Sequence, residues 1–435
     1  IGYFFTGVKL LCRVAPVECI NKRRHESILN DRASLDKLTR FFTKNCTAID
    51  SREPKPYNVP PLMKQHKSQT VGIFTGGGTA PGLNHAALGA TLVMQKNGHT
   101  VLGLPNDYDG LLGLKMEKVL RLSNLTRHQL VSLFSPGGSE LGSSRTKITP
   151  GMHPQVEETV RALGMDGIVA IGGDDTLKQA LELHTAGIVN AVGVPKTIDN
   201  DVDGTERTFG FDTAVEIAAK VIRRIGTDSK TMGRVGIVEV MGRGAGHITL
   251  EAGVAGGAHI TLIREFHIPA DALIKRVEEV FAERGYVLIA LAEAYNAYDP
   301  NVEPADSSEM DPHGHAKLKD AGRLLEKLIK ERTKLGTQLQ VVGYNVRSSE
   351  PLALDGNFAR DLGAMAGHLA HTGQYGKMAS LINGKITSVD LAGVKGGRNV
   401  TNLQYDQKLM MKRDEPPEVV QQLLEAESSV LYGQI

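Results

Sequence analysis

Gly167-Ile168-Val169-Ala170-Ile171-Gly172-Gly173-Asp174-Asp175-Thr176 passes from a short apolar run into two glycines, two carboxylates and a hydroxyl, and Leu177 to Leu183 then takes up a helical pattern. The spacing predicts a strand, a tight turn and a helix. Such a turn lets backbone N–H groups approach an anion at the helix N-terminus. A second stretch, Pro195-Lys196-Thr197-Ile198-Asp199-Asn200-Asp201, follows another apolar run, Ala191 to Val194, and so also belongs at the carboxyl end of a strand. In an open parallel sheet, ligands bind at that edge. The two stretches together bring four carboxylates, one lysine and two hydroxyls. Carboxylates beside a phosphate site need a divalent metal between them, or a role as base. Phosphoryl transfer fits that combination.

Working outward, Val71-Gly72-Ile73-Phe74 reads as a strand, followed by the loop Thr75 to Asn84 with its run Gly76-Gly77-Gly78 and then a helix. His99 to Leu104 is the next strand and leads into Asn106-Asp107-Tyr108-Asp109. Leu141-Gly142-Ser143-Ser144-Arg145 is a small-residue loop ending in an arginine, which suits an anion site or a plain surface turn. Thr208 to Ala214 opens a helix running through Arg224, and Arg234 to Arg243 is a strand with arginines at both ends. Tyr286 to Glu293 is a strand ending in a carboxylate; residues 296–316 read as a surface insertion, and a polar helix follows through Lys334. Gln338 to Tyr344 is expected to be the last core strand, continuing into Asn345-Val346-Arg347. Strands alternating with helices predict a three-layer α/β fold with mostly parallel sheets, two of them for this many strands.

A chain of 435 residues suggests about two or three domains. Its 50 basic and 49 acidic residues leave no net field to attract nucleic acid or a membrane surface. No apolar run approaches the ~20 residues of a membrane span. Residues 1–66 are different, with 12 Lys/Arg against 6 Asp/Glu and all three cysteines, Cys12, Cys19 and Cys46. The main fold therefore has neither a disulfide framework nor a cysteine-based zinc site, and a reducing, cytoplasmic location is the expectation. Lys9 and Arg13 interrupt the apolar opening, which argues against a secretory signal. A helical extension or an organelle-targeting segment are the two readings of this part, with Glu53 to Pro61 an extended linker.

Gly-Gly-Asp-Asp at 172–175, Pro-Lys-Thr-Ile-Asp-Asn-Asp at 195–201, Phe-Gly-Phe-Asp-Thr-Ala at 209–214 and Met-Gly-Arg at 241–243 occur in the order of the phosphofructokinase family, which the chain resembles from about residue 70 to 395. The resemblance implies two Rossmann-like three-layer α/β/α subdomains with mostly parallel sheets. It divides the chain into an extension at 1–67, a phosphate-donor subdomain from 68–210 with about 346–395, a sugar-phosphate subdomain at 211–345, and a C-terminal segment at 396–435. Family members phosphorylate fructose 6-phosphate at its 1-hydroxyl with ATP or pyrophosphate and Mg2+. ATP-dependent members usually have glycine at the positions of Asp175 and Lys196. A carboxylate at 175 would add bulk and negative charge where the α-phosphate of ATP passes, and the Lys196 ammonium can stabilise a transferring phosphoryl group. The pair points to pyrophosphate, with ATP the alternative donor. Asp175 also reads as a helix N-cap beside Thr176, and the two readings are compatible.

The resemblance further implies Asp199 as the base, with Asp201 supporting it and Thr197 hydrogen-bonding sugar or phosphate, although Asx-turn chemistry alone would also use these residues. It implies Asp174 at Mg2+, and Gly77, Arg145, Gly173 and Asp175 around the donor. Met241, Gly242, Arg243, Glu293, Tyr344 and Arg347 would bind the sugar phosphate, Arg243 also serving catalysis. Arg234 would reach it from a neighbouring subunit, which implies a homodimer or homotetramer with shared active sites. The chain departs from the family pattern at Gln338, where an arginine is common, at Ser348-Ser349, where two glycines are usual, and at Thr79. A non-catalytic regulatory subunit would have lost Asp174, Asp199 or Arg243, and all three are present. A dinucleotide-binding dehydrogenase would need Gly-x-Gly-x-x-Gly after the first strand, which is absent.

Overall fold

The computed structural model describes residues 67–298, 305–310, 316–318, 321–402 and 404–405. Strand β1 (Thr70–Thr75) feeds helix α1 (Leu83–Lys96), and β2 (Thr100–Gly103) and the short β3 (Leu120–Arg121) follow. Helices α2 (Arg127–Phe134) and α3 (His153–Leu163) lead to β4 (Gly167–Gly172), α4 (Asp174–Thr185) and β5 (Asn190–Pro195). The chain then builds a second sheet from α5 (Phe211–Met232), β6 (Val235–Val240), α6 (His247–Gly256), β7 (Ile260–Leu262), α7 (Ala270–Arg284) and β8 (Val287–Ala292). A hairpin of β9 (Ala305–Met310) and β10 (Ala316–Leu318) precedes α8 (Ala321–Thr333) and β11 (Thr337–Val341). Finally α9 (Ala353–His371), β12 (Lys377–Ile382) and β13 (Lys385–Asp390) return to the first sheet.

The first sheet has the order β13-β12-β5-β4-β1-β2-β3, with every internal pairing parallel and only the two edge strands antiparallel. The second, β11-β6-β8-β7, is wholly parallel. β4 and β8 are buried along their whole lengths, which is why they read as continuous apolar runs: helices cover both faces. Separate apolar clusters fill the two faces of each sheet, one set around Val71, Ile73 and Ile171 and another around Phe74, Ile168 and Ala170, with matching sets about the second sheet. The expected α/β fold with mostly parallel sheets is what the chain adopts.

Topology positions the ligand edge. From β1 the chain goes first to β2 on one side and then to β4 on the other. The crevice outside the carboxyl ends of β1 and β4 is therefore a topological switch point. The two glycine loops meet there, the Gly76 N–H donating to Ile171 O at 2.8 Å. In the second sheet, the carboxyl ends of β6, β8 and β11 carry Met241, Glu293 and Tyr344 within a few residues.

Two sequence expectations need correction. The strand expected at Gln338–Tyr344 stops at Val341: Val342 already has helical backbone angles, and Gly343 to Val346 forms a 3-10 turn with Gly343 at φ 54°. Nor is it the last core strand, since β12 and β13 join the first sheet through a turn at Asn383-Gly384. Both turn residues have positive φ, 49° and 68°, the conformation a two-residue hairpin of this kind requires. The extension at 1–66 lies outside the described residues.

Candidate active site

Gly172 and Pro195 are register partners at the ends of β4 and β5, so Gly173 and Lys196 leave the sheet side by side. The Lys196 N–H donates to Gly172 O at 2.9 Å. The Lys196 side chain is buried, and its Nζ donates to Gly78 O at 2.9 Å. Gly77, at φ 76°, leaves the room for this: a Cβ there would lie 3.2 Å from Nζ. The loop at Leu141–Arg145 is laced to the same glycines. Gly77 N–H donates to Ser144 O at 2.8 Å, and Ser143 Oγ donates to Gly77 O at 2.6 Å. Thus three of the expected donor-side residues, Gly77, Arg145 and Gly173, meet Lys196, expected in catalysis, at one crevice.

α4 starts in that crevice. Its N-cap is Gly173, in extended conformation, and Asp174 and Asp175 are exposed residues of the first turn. Asp175 is therefore not the helix cap; a negative charge there is supported by the helix N-terminus instead. The cap reading is corrected because Gly173 already has the non-helical backbone that a cap needs.

The loop after β5 folds on its own side chains. Asp199 N–H donates to Thr197 Oγ1 at 3.1 Å, Thr208 N–H to Asn200 Oδ1 at 3.0 Å, and Thr208 Oγ1 to Thr197 O at 2.7 Å. Asn200 takes a left-handed φ of 53°, placing a turn between the two acids. Asx and hydroxyl turns are present, as one reading expected. They do not use up Asp199, whose Oδ1 is buried with no hydrogen-bond partner among the described residues. Burial pushes the Asp199 carboxyl up, against the pull of Arg347, with Glu293 adding to the rise, Lys196 opposing and Asp174 adding. Asp201 is pushed up to about 6 by burial and by the charges of Asp199 and Asp174. Burial lowers Lys196 to about 8, the Arg347 charge assisting while Asp107 and Asp199 oppose it. Asp199, Asp201, Asp174, Lys196 and Glu293 thus form one electrostatic cluster.

The residues expected on the sugar phosphate come from the second sheet. Gly242 N–H donates to Glu293 Oε1 at 3.1 Å, joining the ends of β6 and β8, and burial raises the Glu293 carboxyl. Arg264 donates to Arg243 O at 2.8 Å, fixing the backbone of Met241-Gly242-Arg243. A Cβ on Gly244 would lie 3.2 Å from Asp201 Oδ2, so this turn abuts the acid loop. Arg347 Nε donates to Met241 Sδ at 2.9 Å. Its Nη1 lies so close to Gly78 that any side chain there would overlap it. Arg347 accordingly spans from Met241 at the end of β6 to the glycine loop after β1.

Two expected residues are not gathered here. Tyr344 is 73% exposed on the turn after β11. Arg234 precedes β6, at the opposite end of the strand from Met241, and pairs with Asp228; Gln338 pairs in register with Gly236 at that same end. Two other residues enter unannounced. Asp107 is 2% exposed at φ 60°, packs against Gly76, has an unpartnered Oδ1 and is raised to about 7, chiefly by burial. Thr176 Oγ1 would lie 2.7 Å from a Cβ on Gly76, so both the Asp107 and Thr176 side chains hold that loop to a glycine. An acid just past the end of β2, on the ligand edge, was the available signal for Asp107.

Among the described residues, no group of three or more His, Cys, Asp or Glu side chains is placed to hold a metal alone. Mg2+ does not need one, since it usually keeps several waters and binds through one or two carboxylates plus substrate phosphates. An exposed Asp174 beside the unpartnered Asp199 Oδ1 fits that donor set.

The Phosphofructokinase family profile matches residues 70–370. The pyrophosphate–fructose 6-phosphate 1-phosphotransferase of Thermoproteus tenax is 36% identical over 328 residues, 75% of this chain and 93% of that protein. The ATP-dependent 6-phosphofructokinase of Mycobacterium bovis is 35% identical over 343 residues, 77% of this chain and 97% of that protein. The crystal structure of the pyrophosphate-dependent phosphofructokinase from Marinobacter aquaeolei superimposes with a TM-score of 0.64 at 22% identity, covering 78% of this chain and 91% of that one, and supports the same fold.

Proposed function

The chain belongs to the phosphofructokinase family, and from that premise we propose that it is a phosphotransferase that moves a phosphoryl group from pyrophosphate to the 1-hydroxyl of fructose 6-phosphate. The products are fructose 1,6-bisphosphate and phosphate. Donor and product bonds are close in energy, so the reaction runs in both directions between glycolysis and gluconeogenesis. The observation that carries the donor choice is the pair at the crevice: an exposed Asp175 in the first turn of α4 and a buried Lys196 whose Nζ sits on the Gly78 carbonyl. Relatives named for either donor have similar identity, so the donor reading rests on these side chains and not on the names.

Asp199 accepts the proton of the sugar 1-hydroxyl through its unpartnered Oδ1, with Asp201 and Thr197 supporting it. Lys196, Arg145 and Arg347 supply positive charge along the path of the phosphoryl group, where catalysis is mostly positioning and electrostatic stabilisation. Gly77 and Gly173 let backbone approach the donor, and Arg243, Met241, Gly242 and Glu293 hold the sugar phosphate. Asp174 would hold Mg2+, which when bound offsets the charge of the donor phosphates. Residues 68–210 with about 346–395 form the donor-binding part and 211–345 the sugar-binding part. Arg234 and Tyr344 serve a sugar phosphate bound with the help of a neighbouring copy, in a homodimer or homotetramer.

Initial rates of the purified protein with fructose 6-phosphate and Mg2+, pyrophosphate against ATP, test this reading. Turnover with pyrophosphate and little with ATP is expected, and Asp175→Gly should raise the ATP rate at least tenfold, about 1.4 kcal/mol of barrier. Strong wild-type activity with ATP would overturn the donor assignment and favour the ATP-dependent reading, which the Mycobacterium bovis relative represents.

A further inference from the structure

Past β13 the chain turns back to the acid loop. Asp203 N–H donates to Lys395 O at 2.9 Å, and Arg398 N–H donates to Asp201 O at 2.9 Å. The Arg398 guanidinium gathers three carbonyls of the same loop. Nε and Nη2 donate to Asn200 O at 3.2 and 2.7 Å, Nη1 to Thr205 O at 2.7 Å, and Nη2 to Glu206 O at 3.3 Å. The Arg398 carbonyl accepts from His247 Nε2 at 3.0 Å. Val400 N–H donates to Glu265 Oε1 at 3.2 Å, and the same oxygen accepts the Gly246 N–H at 2.8 Å. The segment is therefore anchored to the turn that carries Arg243 as well as to the acid loop. Gly396 meets the third element: a Cβ there would overlap Asp174 Oδ2 and lie 2.7 Å from the Asp174 Cβ and Cγ. The family profile ends at residue 370, before any of this.

We infer that Lys395–Arg398 is a working part of the active site, in which Arg398 is a positioning residue for Asp199 and Asp201 and Gly396 keeps the Asp174 carboxylate in place. The inference rests on the phosphoryl-transfer reading for its kinetic consequences, but not for its geometry. The planar guanidinium presents several donors in a fixed fork, so one side chain can hold three carbonyls at once; a lysine offers a single point of charge. Among the residues Arg398 holds are the left-handed Asn200 itself and, through the Arg398 N–H, Asp201, where a small change of backbone would swing both acids. A displacement of about 1 Å in a catalytic group costs on the order of 10²-fold in rate. Gly396 acts by having no side chain: a methyl group there would press on the Asp174 Cβ as well as its carboxylate, so Asp174 itself has to move.

Two variants and two readouts decide the matter. Arg398→Lys should lower kcat by about 10²-fold with both KM values within about threefold of wild type, the split expected when positioning and not substrate binding is lost. Amide hydrogen exchange over residues 199–206 should quicken by about tenfold or more in the same variant. Gly396→Ala removes no hydrogen-bonding group of the segment; it should lower kcat and raise the Mg2+ concentration needed for half-maximal rate. Wild-type kcat in either variant overturns the inference, as does a rate loss in Arg398→Lys with unaltered loop exchange. If the lysine variant does not fold, Gly396→Ala still decides. If the wild-type protein turns over neither donor, the functional reading falls, and the exchange measurement alone judges the segment.

Discussion

Asp199 holds a conflict within one carboxyl group. Burial favours its neutral form, while the base role proposed for it requires the ionised one. Because its pKa is raised on folding, the folded state binds the proton more tightly than the unfolded chain. The stability it contributes is complete below the ordinary aspartate value of about 3.9 and is lost as pH rises through the folded value, so the ionised form is a cost at neutral pH. Asp199→Asn should therefore abolish activity, by 10²-fold or more, while raising Tm, each kcal/mol recovered appearing as roughly 2–4 °C in calorimetry. A lowered Tm would contradict this account. The same cluster sets the pH profile. kcat/KM should rise as pH passes about 6 to 7, where Asp201 and Asp107 ionise, and fall above about 8 as Lys196 loses its proton. The limbs belong to the cluster as a whole. Lys196→Arg should remove the falling limb, and its persistence would assign that limb elsewhere. Lys196, Thr197, Asp199 and Asp201 were legible in the sequence because one loop carries them all. Asp107 was visible as an acid after a strand, but its burial depends on packing by distant elements. Arg398 stands 198 positions from the carbonyl it binds, and no local pattern could join the two. Arg347 was expected on the sugar, whereas its reach to Gly78 is a property of how the two sheets face each other.

Among the elements, α1 and α9 pack most intimately, and glycine makes that possible. A Cβ on Gly89 would overlap Arg360 O, and one on Gly363 would overlap Ala86 O while lying 2.9 Å from Ala86 Cα. The two helices meet backbone to backbone. Gly363→Ala should destabilise the protein by about 1–3 kcal/mol through overpacking, despite the better helix propensity of alanine, and denaturant titration would measure it. A stabilised variant would mean that α9 can shift at little cost. The alternation of strands and helices was readable because buried parallel strands appear as short apolar runs bounded by glycine. The final hairpin was equally available, since Asn383-Gly384 between two six-residue strands is a strong turn signal. The end of β11 was not, because its strand pattern continues past Val341 although Val342 already turns to helical backbone angles.

At the scale of the molecule, one sheet is interrupted by the other: β6, β8, β7 and β11 lie in sequence between β5 and β12. Arg234 and Gln338 sit at the amino edge of that inner sheet, away from Met241 and Glu293 at its carboxyl edge. If Arg234 serves a sugar phosphate, that sugar phosphate is bound by another copy. Mixing Asp199→Asn with Arg234→Ala protein under subunit exchange should then restore roughly a quarter of wild-type activity, from hybrids that carry one intact site. No recovery would separate Arg234 from catalysis. The nesting also bears on how the protein comes into being. Chains are made from the N-terminus at about 5–20 residues per second. β1, β4 and β5, with the acid loop after them, are synthesised well before β12 and β13 can complete their sheet, and Arg398 follows later still. A nascent chain on the ribosome can therefore display every residue of the acid loop while lacking the segment that holds it, and that loop is held only once Arg398 has been made.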